Sequence, residues 1–221
     1  MEISMYDTLL QLPLFQGLCK NDFTNILEKV KLHFHKSEHN ELIARQGDKC
    51  NKLVFILNGE VISDTVDIEN QYSLQEKLTA PFVIEPYSLF GIKPFFQSTY
   101  NTINSADLIS INKSFILSEL NKYEIFRLNI LNILSSRSQS AYDKLWNIHI
   151  GNTKEKIINF ILLRCIRPDG EKNLNIKMED FAHLINDTRI NVSKTLNEMQ
   201  EEGLVRLSRK EIFIPELKNL L

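Results

Sequence analysis

Between Met178 and Gly203 the apolar residues fall at helical spacing twice over. Phe181, Leu184 and Ile185 mark one face, and Ile190 or Val192, Leu196 and Met199 mark a second. Asn186-Asp187-Thr188 separates them. Asparagine tolerates a left-handed backbone and threonine accepts a hydrogen bond from an orphan N–H, so the pattern predicts one helix ending at Asn186 and another starting just after Thr188. That is a helix-turn-helix. Gly203 stops the second helix, and Leu204–Leu207 and Glu211–Ile214 read as two short strands joined by Ser208-Arg209-Lys210, a hairpin with a basic tip. Upstream, Gly151-Asn152 reads as a hinge, with Asn152 or Thr153 as the cap of an amphipathic helix that runs from Lys154 to Arg167. Pro168-Asp169-Gly170 ends it, and a strand over Asn173–Lys177 leads into the helix-turn-helix.

The earlier part of the chain has a different grammar. Met1–Val30 reads as short helices: Leu9, Leu10 and Leu12 stand before Pro13, and Asn21 caps a helix carrying Phe23, Ile26, Leu27 and Val30. From Lys31 to about Ile111 apolar residues alternate, with turns at Gln46-Gly47-Asp48, Asn58-Gly59 and Pro86, as in a small barrel or roll. A short helix follows over Ile111–Tyr123, then one long helix over Glu124–Ile150. In it Phe126, Ile130, Leu134, Ala141, Leu145 and Ile148 recur at helical intervals, broken by a polar stretch from Ser135 to Ser140. Such a stripe must be covered. The expected fold class is α+β, with a roll over residues 1–122, the long helix over 123–150 and a winged helix-turn-helix over 151–221.

Composition narrows the picture. With 221 residues, 43% of them hydrophobic, the chain is long enough for two cores. No run approaches eighteen apolar residues, and the amino terminus carries acids where a signal peptide carries Lys or Arg, so a cytoplasmic protein with no membrane partner is expected. Cys19, Cys50 and Cys165 are scattered, which argues against a disulfide framework, a zinc site or a cysteine-ligated cluster. The net charge of −2 divides unevenly: Met1–Gly151 has 14 Lys+Arg against 17 Asp+Glu, and Asn152 onward has 12 against 11. A duplex-binding surface in the second part must therefore gather its cations on one face.

Leu42–Asp48 (LIARQGD), Leu53–Val61 (LVFILNGEV) and Leu89-Phe90-Gly91 resemble the cyclic-nucleotide-binding β-roll, a double-stranded β-helix. With the carboxy-terminal helix-turn-helix, the order of parts resembles the CRP/FNR (catabolite activator and fumarate-nitrate regulator) family of bacterial transcription factors. The departures are chemical. Where cyclic-nucleotide-binding members have a glutamate for the ribose and an arginine for the cyclic phosphate, this chain has Gly91-Ile92-Lys93-Pro94 and then Ser98-Thr99-Tyr100-Asn101-Thr102. Ile accepts no hydrogen bond and Thr does not replace a bidentate guanidinium, so cyclic AMP is not the expected effector. The resemblance places an effector pocket at Phe90, Gly91, Ile92, Lys93, Thr99 and Tyr100, with the effector unassigned and no cofactor. His33 and His35, two apart on a strand with Glu38, His39 and Glu41 nearby, are the only set on which a cupin-type metal enzyme would rest. A solvated polar strand is the reading adopted, since the next histidine is His149.

The resemblance implies a homodimer paired through the long helix. It lays the helix from Arg189 to Glu202 in the major groove of double-stranded DNA, on a pseudo-palindromic site, with RNA polymerase as a further partner. Thr188-Arg189 stands where the family has a small hydroxyl residue followed by its guanine-reading arginine. Ile190 stands where a cytosine-reading glutamate is common, so the half-site differs, with a thymine methyl in reach of Ile190. Asn191, Ser193 and Lys194 are expected on bases or phosphates, and Arg206, Arg209 and Lys210 on phosphates. A roll whose helices dock on protein is the alternative. No phosphate loop, nucleophile elbow or paired metal-ligand motif marks an enzyme.

Overall fold

The computed structural model describes residues 9–10, 12–29, 32–147 and 151–220. These form two compact units: Met1–Val61 with Thr79–Arg137, and Ile62–Leu78 with Ser138–Leu221.

The first unit is the roll. Helix α1 (Lys20–Lys29) precedes strands β1 (His33–Ser37), β2 (Leu42–Ala44) and β3 (Lys52–Asn58), the first residues of β4 (Glu60–Asp67), and then β6 (Phe82–Ile84), β7 (Thr99–Thr102) and β8 (Ala106–Asn112). One sheet runs β1-β8-β3-β6, and β4, β7 and β2 are successive neighbours in the other. Hydrophobic burial closes them over Leu53, Phe55, Ile109 and Tyr100, and Phe15 lies 5.3 Å from Phe55, ring to ring. The β3–β4 turn requires glycine: Gly59 has φ +99°, and a Cβ there would stand 2.7 Å from the Ser105 carbonyl. A short helix α2 (Lys113–Ser118), a 3₁₀ turn at Leu120–Lys122 and the long helix α3 (Glu124–Asn147) follow.

Helix α3 does not present the expected stripe. Phe126 is buried in its own unit, 5.9 Å from Phe15. Ile130 and Leu134 are half-buried and Ala141 is exposed. Leu145 lies in the helix with its side chain outside the described ones, and Ile148 lies outside the described residues. Among the described side chains of α3 the open apolar ones are Ile125, Leu128 and Leu131, one step round the helix, and Tyr142 further along. A helix apolar on nearly every side gives spacing alone no means of choosing a face.

The second unit, the reader, holds β5 (Tyr72–Thr79), α4 (Thr153–Arg164), β9 (Lys172–Ile176), α5 (Met178–Leu184), α6 (Arg189–Glu201), β10 (Arg206–Ser208) and β11 (Glu211–Ile214). Its sheet runs β10-β11-β9-β5-β4. A core of Ile157, Phe160, Ile161, Phe181, Leu196 and Val205 lies between sheet and helices, and Tyr72 and Leu74 from β5 belong to it. Residues 62–78, expected with the roll, thus pack with the reader. Helix α4 opens on a capping box in which Asn152 and Glu155 exchange side chain-to-backbone hydrogen bonds, so of the two candidate caps Asn152 does the work.

Candidate nucleic-acid interface

The turn between α5 and α6 is built by three side chains. Asn186 takes the left-handed conformation, φ +52°, and its N–H donates to the His183 carbonyl at 3.1 Å. Thr188 caps α6 by accepting from the Asn191 N–H at 3.2 Å. Asp187 joins the pieces. Its carboxylate accepts from the Thr188 N–H (2.7 Å), the Asn191 amide (3.0 Å) and the Thr153 hydroxyl (2.9 Å), and Lys156 lies 3.4 Å away. These donors, the Asn191 amide foremost, hold the Asp187 carboxyl down at about 2. One acid therefore ties the start of α4 to the turn.

The turn sets which way α6 faces. Val192, Leu196 and Met199 are buried, whereas Ile190 is 80% exposed, so Val192 and not Ile190 supplies the core residue of that pattern. Thr188, Arg189, Asn191 and Lys194 are exposed with Ile190, and Ser193 is half-buried. Arg189, Ile190, Ser193, Lys194 and Asn197 line one groove of about 740 Å³ together with Met178, Glu198 and Glu201. The outward cations have loose partners: Arg189 Nε stands 3.8 Å from Glu179, and Lys194 Nζ stands 3.8 Å from Glu198. Exposed pairs of this kind are worth ~0–1 kcal/mol, so phosphate or base oxygens readily displace them.

The wing is tied to the same helix, because Gln200 accepts from the Leu207 N–H at 2.8 Å. Its tip is exposed at Arg209 and Lys210, the latter at φ +64°. Ser208 closes the turn by donating to Glu211 at 2.7 Å, which holds the Glu211 carboxyl below its ordinary range. Arg206 lies over the Phe213 ring, 5.0 Å from its centroid, and is exposed too. The structure therefore brings Arg189, Ile190, Ser193 and Lys194 onto one groove, leaves Thr188 and Asn191 exposed outside its lining, and presents the three wing cations on the hairpin that follows. Asp187 and Glu179 were missed, and only the position of Asp187 inside a turn signalled it.

The expected effector residues on the roll are not all turned inward. Gly91, Ile92 and Lys93 face solvent, Ile92 being 99% exposed, while Phe90 and Thr99 are half-buried and Tyr100 is buried. The inward polar centre is Glu85, which sequence reasoning missed. It holds a left-handed backbone, φ +33°, before the 3₁₀ turn Pro86–Ser88. Its carboxylate accepts from the Gln97 and Ser98 N–H groups (2.7 and 2.9 Å), the Ser88 hydroxyl (2.7 Å) and the Tyr100 hydroxyl (3.0 Å). Burial, with Glu85 second, raises the Cys50 thiol to about 11. On β1, His33 and Phe34 are exposed, His35 meets Glu41 at 2.7 Å and His39 bonds the Ile103 carbonyl. Among the described residues no three His, Cys, Asp or Glu side chains are grouped to hold a metal ion. No described helix is long and apolar enough to cross a membrane.

Comparison with known proteins places this geometry. Residues 155–221 match the family model of the Crp-like helix-turn-helix domain. The chain is 22% identical over 181 residues to the global nitrogen regulator of Synechocystis, covering 76% of this chain and 78% of that protein. Its fold resembles the catabolite activator protein of Thermus thermophilus, at 20% identity and a TM-score of 0.53 over 94% of this chain and 96% of that one. It also resembles the c-di-GMP responsive regulator CLP of Xanthomonas campestris, at 16% identity and 0.51 over 89% and 99%. The molecule joins a cyclic-nucleotide-binding-like roll to a winged helix-turn-helix. Its carboxy-terminal part is a Crp-like helix-turn-helix domain, and the chain as a whole is similar to the DNA-binding regulators named above.

Proposed function

We propose that the chain acts in the cytoplasm as a homodimer that lays one α6 in each of two successive major grooves, on a pseudo-palindromic site with half-sites about one helical turn apart. One observation carries this reading: α6 exposes Arg189, Ile190, Asn191 and Lys194 together while Val192, Leu196 and Met199 hold it to the core. Arg189 reads guanine through O6 and N7, a contact worth ~1–3 kcal/mol of discrimination. Ile190, apolar and open, suits a thymine methyl. Thr188, Asn191, Ser193 and Lys194 complete the base and phosphate contacts, and Arg206, Arg209 and Lys210 hold phosphates across the wing. The copies pair through Ile125, Leu128 and Leu131 of α3, a face left open in one chain. Regulation through contact with RNA polymerase belongs to this proposal.

The effector of this reading is not cyclic AMP. A cyclic phosphate entering beside Gly91 meets exposed Ile92 and Lys93 outside and the Glu85 carboxylate inside, a like charge on buried donors that are already taken. Calorimetric titration with cyclic AMP is expected to show no saturable heat.

Selection of bound fragments, followed by mobility shifts at several salt concentrations, tests the DNA reading. Arg189→Ala is expected to flatten sequence preference at one position of each half-site while leaving non-specific affinity within about threefold. Lys210→Ala is expected to weaken all sequences alike and to lower the salt slope. Equal losses on every sequence from Arg189→Ala would remove the assignment.

A further inference from the structure

Strand β5 is an odd member of the reader. It is separated from α4 by more than seventy residues of sequence, yet it pairs antiparallel with β9 from Tyr72↔Ile176 to Glu76↔Lys172. Its inward residues are Tyr72, Leu74, Glu76 and Leu78, all buried. Tyr72 meets Phe160 edge-on at 5.5 Å and accepts from Arg164 Nε at 2.9 Å, and that guanidinium also lies 3.7 Å from the Phe160 ring centroid. Glu76 and Lys172 form an ion pair of 3.2 Å with neither side chain exposed. The pair is also held within the reader: Glu76 Oε1 accepts from the Ile166 N–H at 2.8 Å, and Lys172 donates to the Asp169 carbonyl at 2.6 Å, while Glu76 Oε2 has the lysine as its ion partner and no hydrogen bond. Burial pushes the Glu76 carboxyl up in spite of the lysine.

The consequences run through β9. Its other neighbour is β11, the base of the wing, and Ile176 donates to the Lys210 carbonyl at 2.8 Å, at the wing tip. Its end leads through Lys177 into α5. Without β5, strand β9 becomes an edge with a buried lysine uncovered and unpaired, and breaking one half of a buried pair is far more damaging than never having had it. We propose that the hairpin Ile62–Leu78 is a built-in positioning strand of the DNA reader: β5 fixes β9, and β9 holds both the wing and the start of the helix-turn-helix at their working geometry. Tyr72, Glu76 and Lys172 are its positioning residues. Since β4 leaves the roll at Val61 and β5 re-enters it at Thr79, the same hairpin is a second covalent route from roll to reader besides α3. This inference rests on the DNA reading above.

Hydrogen exchange on the full chain tests it without reference to DNA. In the native protein, the amides of β5 and β9 are expected to exchange as one cooperative unit with α6, not with β3 and β8 of the roll. Glu76→Ala is expected to speed exchange of β9 at least about tenfold, with the roll unchanged, and to weaken operator binding about tenfold. The paired change Glu76→Leu with Lys172→Met replaces the ions by apolar bulk and is expected to restore both to within about threefold. Should Glu76→Ala fail to fold, native exchange and the paired variant decide. Exchange of β5 with the roll overturns the proposal, as does lost operator binding in a paired variant whose β9 stays protected. Unaltered β9 exchange and affinity in Glu76→Ala also overturn it. Altered β9 exchange in a protein that never binds duplex DNA overturns the DNA reading instead.

Discussion

At the scale of single residues, the reader depends on one acid in its turn. Asp187 accepts from Thr188, Asn191 and Thr153, and its carboxyl is held down at about 2 because these donors favour the charged form. A carboxyl lowered on folding stabilises the fold above its unfolded value near 4, and the contribution fades as the pH falls through about 2. The side chain is only 10% exposed, but two of its four partners, Thr188 and Asn191, are exposed, so the effect is on the order of 1 kcal/mol. Asp187→Asn is therefore expected to lower the reader's unfolding midpoint at pH 7, with the gap from the native protein closing by about pH 2. Denaturant unfolding at stepped pH checks this, and a gap that persists undiminished in acid would mean the carboxylate charge is not involved. Much at this scale was legible in the sequence. Asn186 and Thr188 carry local preferences that declare a turn before any tertiary contact exists, whereas two of the partners of Asp187, Thr153 and Lys156, come from a helix more than thirty residues away. Glu85 is the extreme case: its donors at Ser88, Gln97, Ser98 and Tyr100 converge through loop geometry, and nothing in Val-Ile-Glu-Pro distinguishes a buried acid from an exposed one.

At the scale of elements, the strands and helices followed from periodicity wherever one face alone is covered. Helix α6 is such a case, and only the choice between Ile190 and Val192 waited for the structure. Helix α3 is the opposite case, with Phe126 turned into its own unit and Leu128 and Leu131 left open. Phe126→Ala is thus expected to destabilise the roll by ~3–5 kcal/mol through the cavity it leaves. Leu128→Asp with Leu131→Asp is expected to leave the melting of each unit near that of the native chain and to yield monomers in analytical ultracentrifugation. Dimers that survive the paired aspartates would show that this face is not the seam. Strand β5 exposes a further limit of pattern reading. No strand is read there from the sequence: Tyr72, Leu74 and Leu78 alternate, but a glutamate at position 76 looks like a break in the pattern, and its justification, Lys172, lies ninety-six positions on. Strand pairing over such separations leaves no mark in either segment alone.

For the whole molecule, charge decides how the parts act together. A net charge of −2 per chain gives the proposed dimer no general attraction to a polyanion, so affinity must come from cations gathered on the reading surface. On the proposed reading, those available in each copy for phosphates are Lys194, Arg206, Arg209 and Lys210, with Arg189 assigned to a base and with Glu179, Glu198 and Glu201 close to the same groove. About four phosphate contacts per copy, about eight per dimer, correspond to a slope of log affinity against log salt of about −7. The paired aspartates on α3 halve the number of readers that engage at once, so the same titration with the monomer is expected to give a slope of about −3.5 on a single half-site. Neutralising the groove acids, Glu179→Gln with Glu198→Gln, removes competing partners of Arg189 and Lys194. Non-specific affinity then rises several-fold while the slope stays nearly constant, because no new phosphate contact is made. A slope near −2 for the native dimer would mean that the wing does not reach the backbone and that α6 reads bases without it.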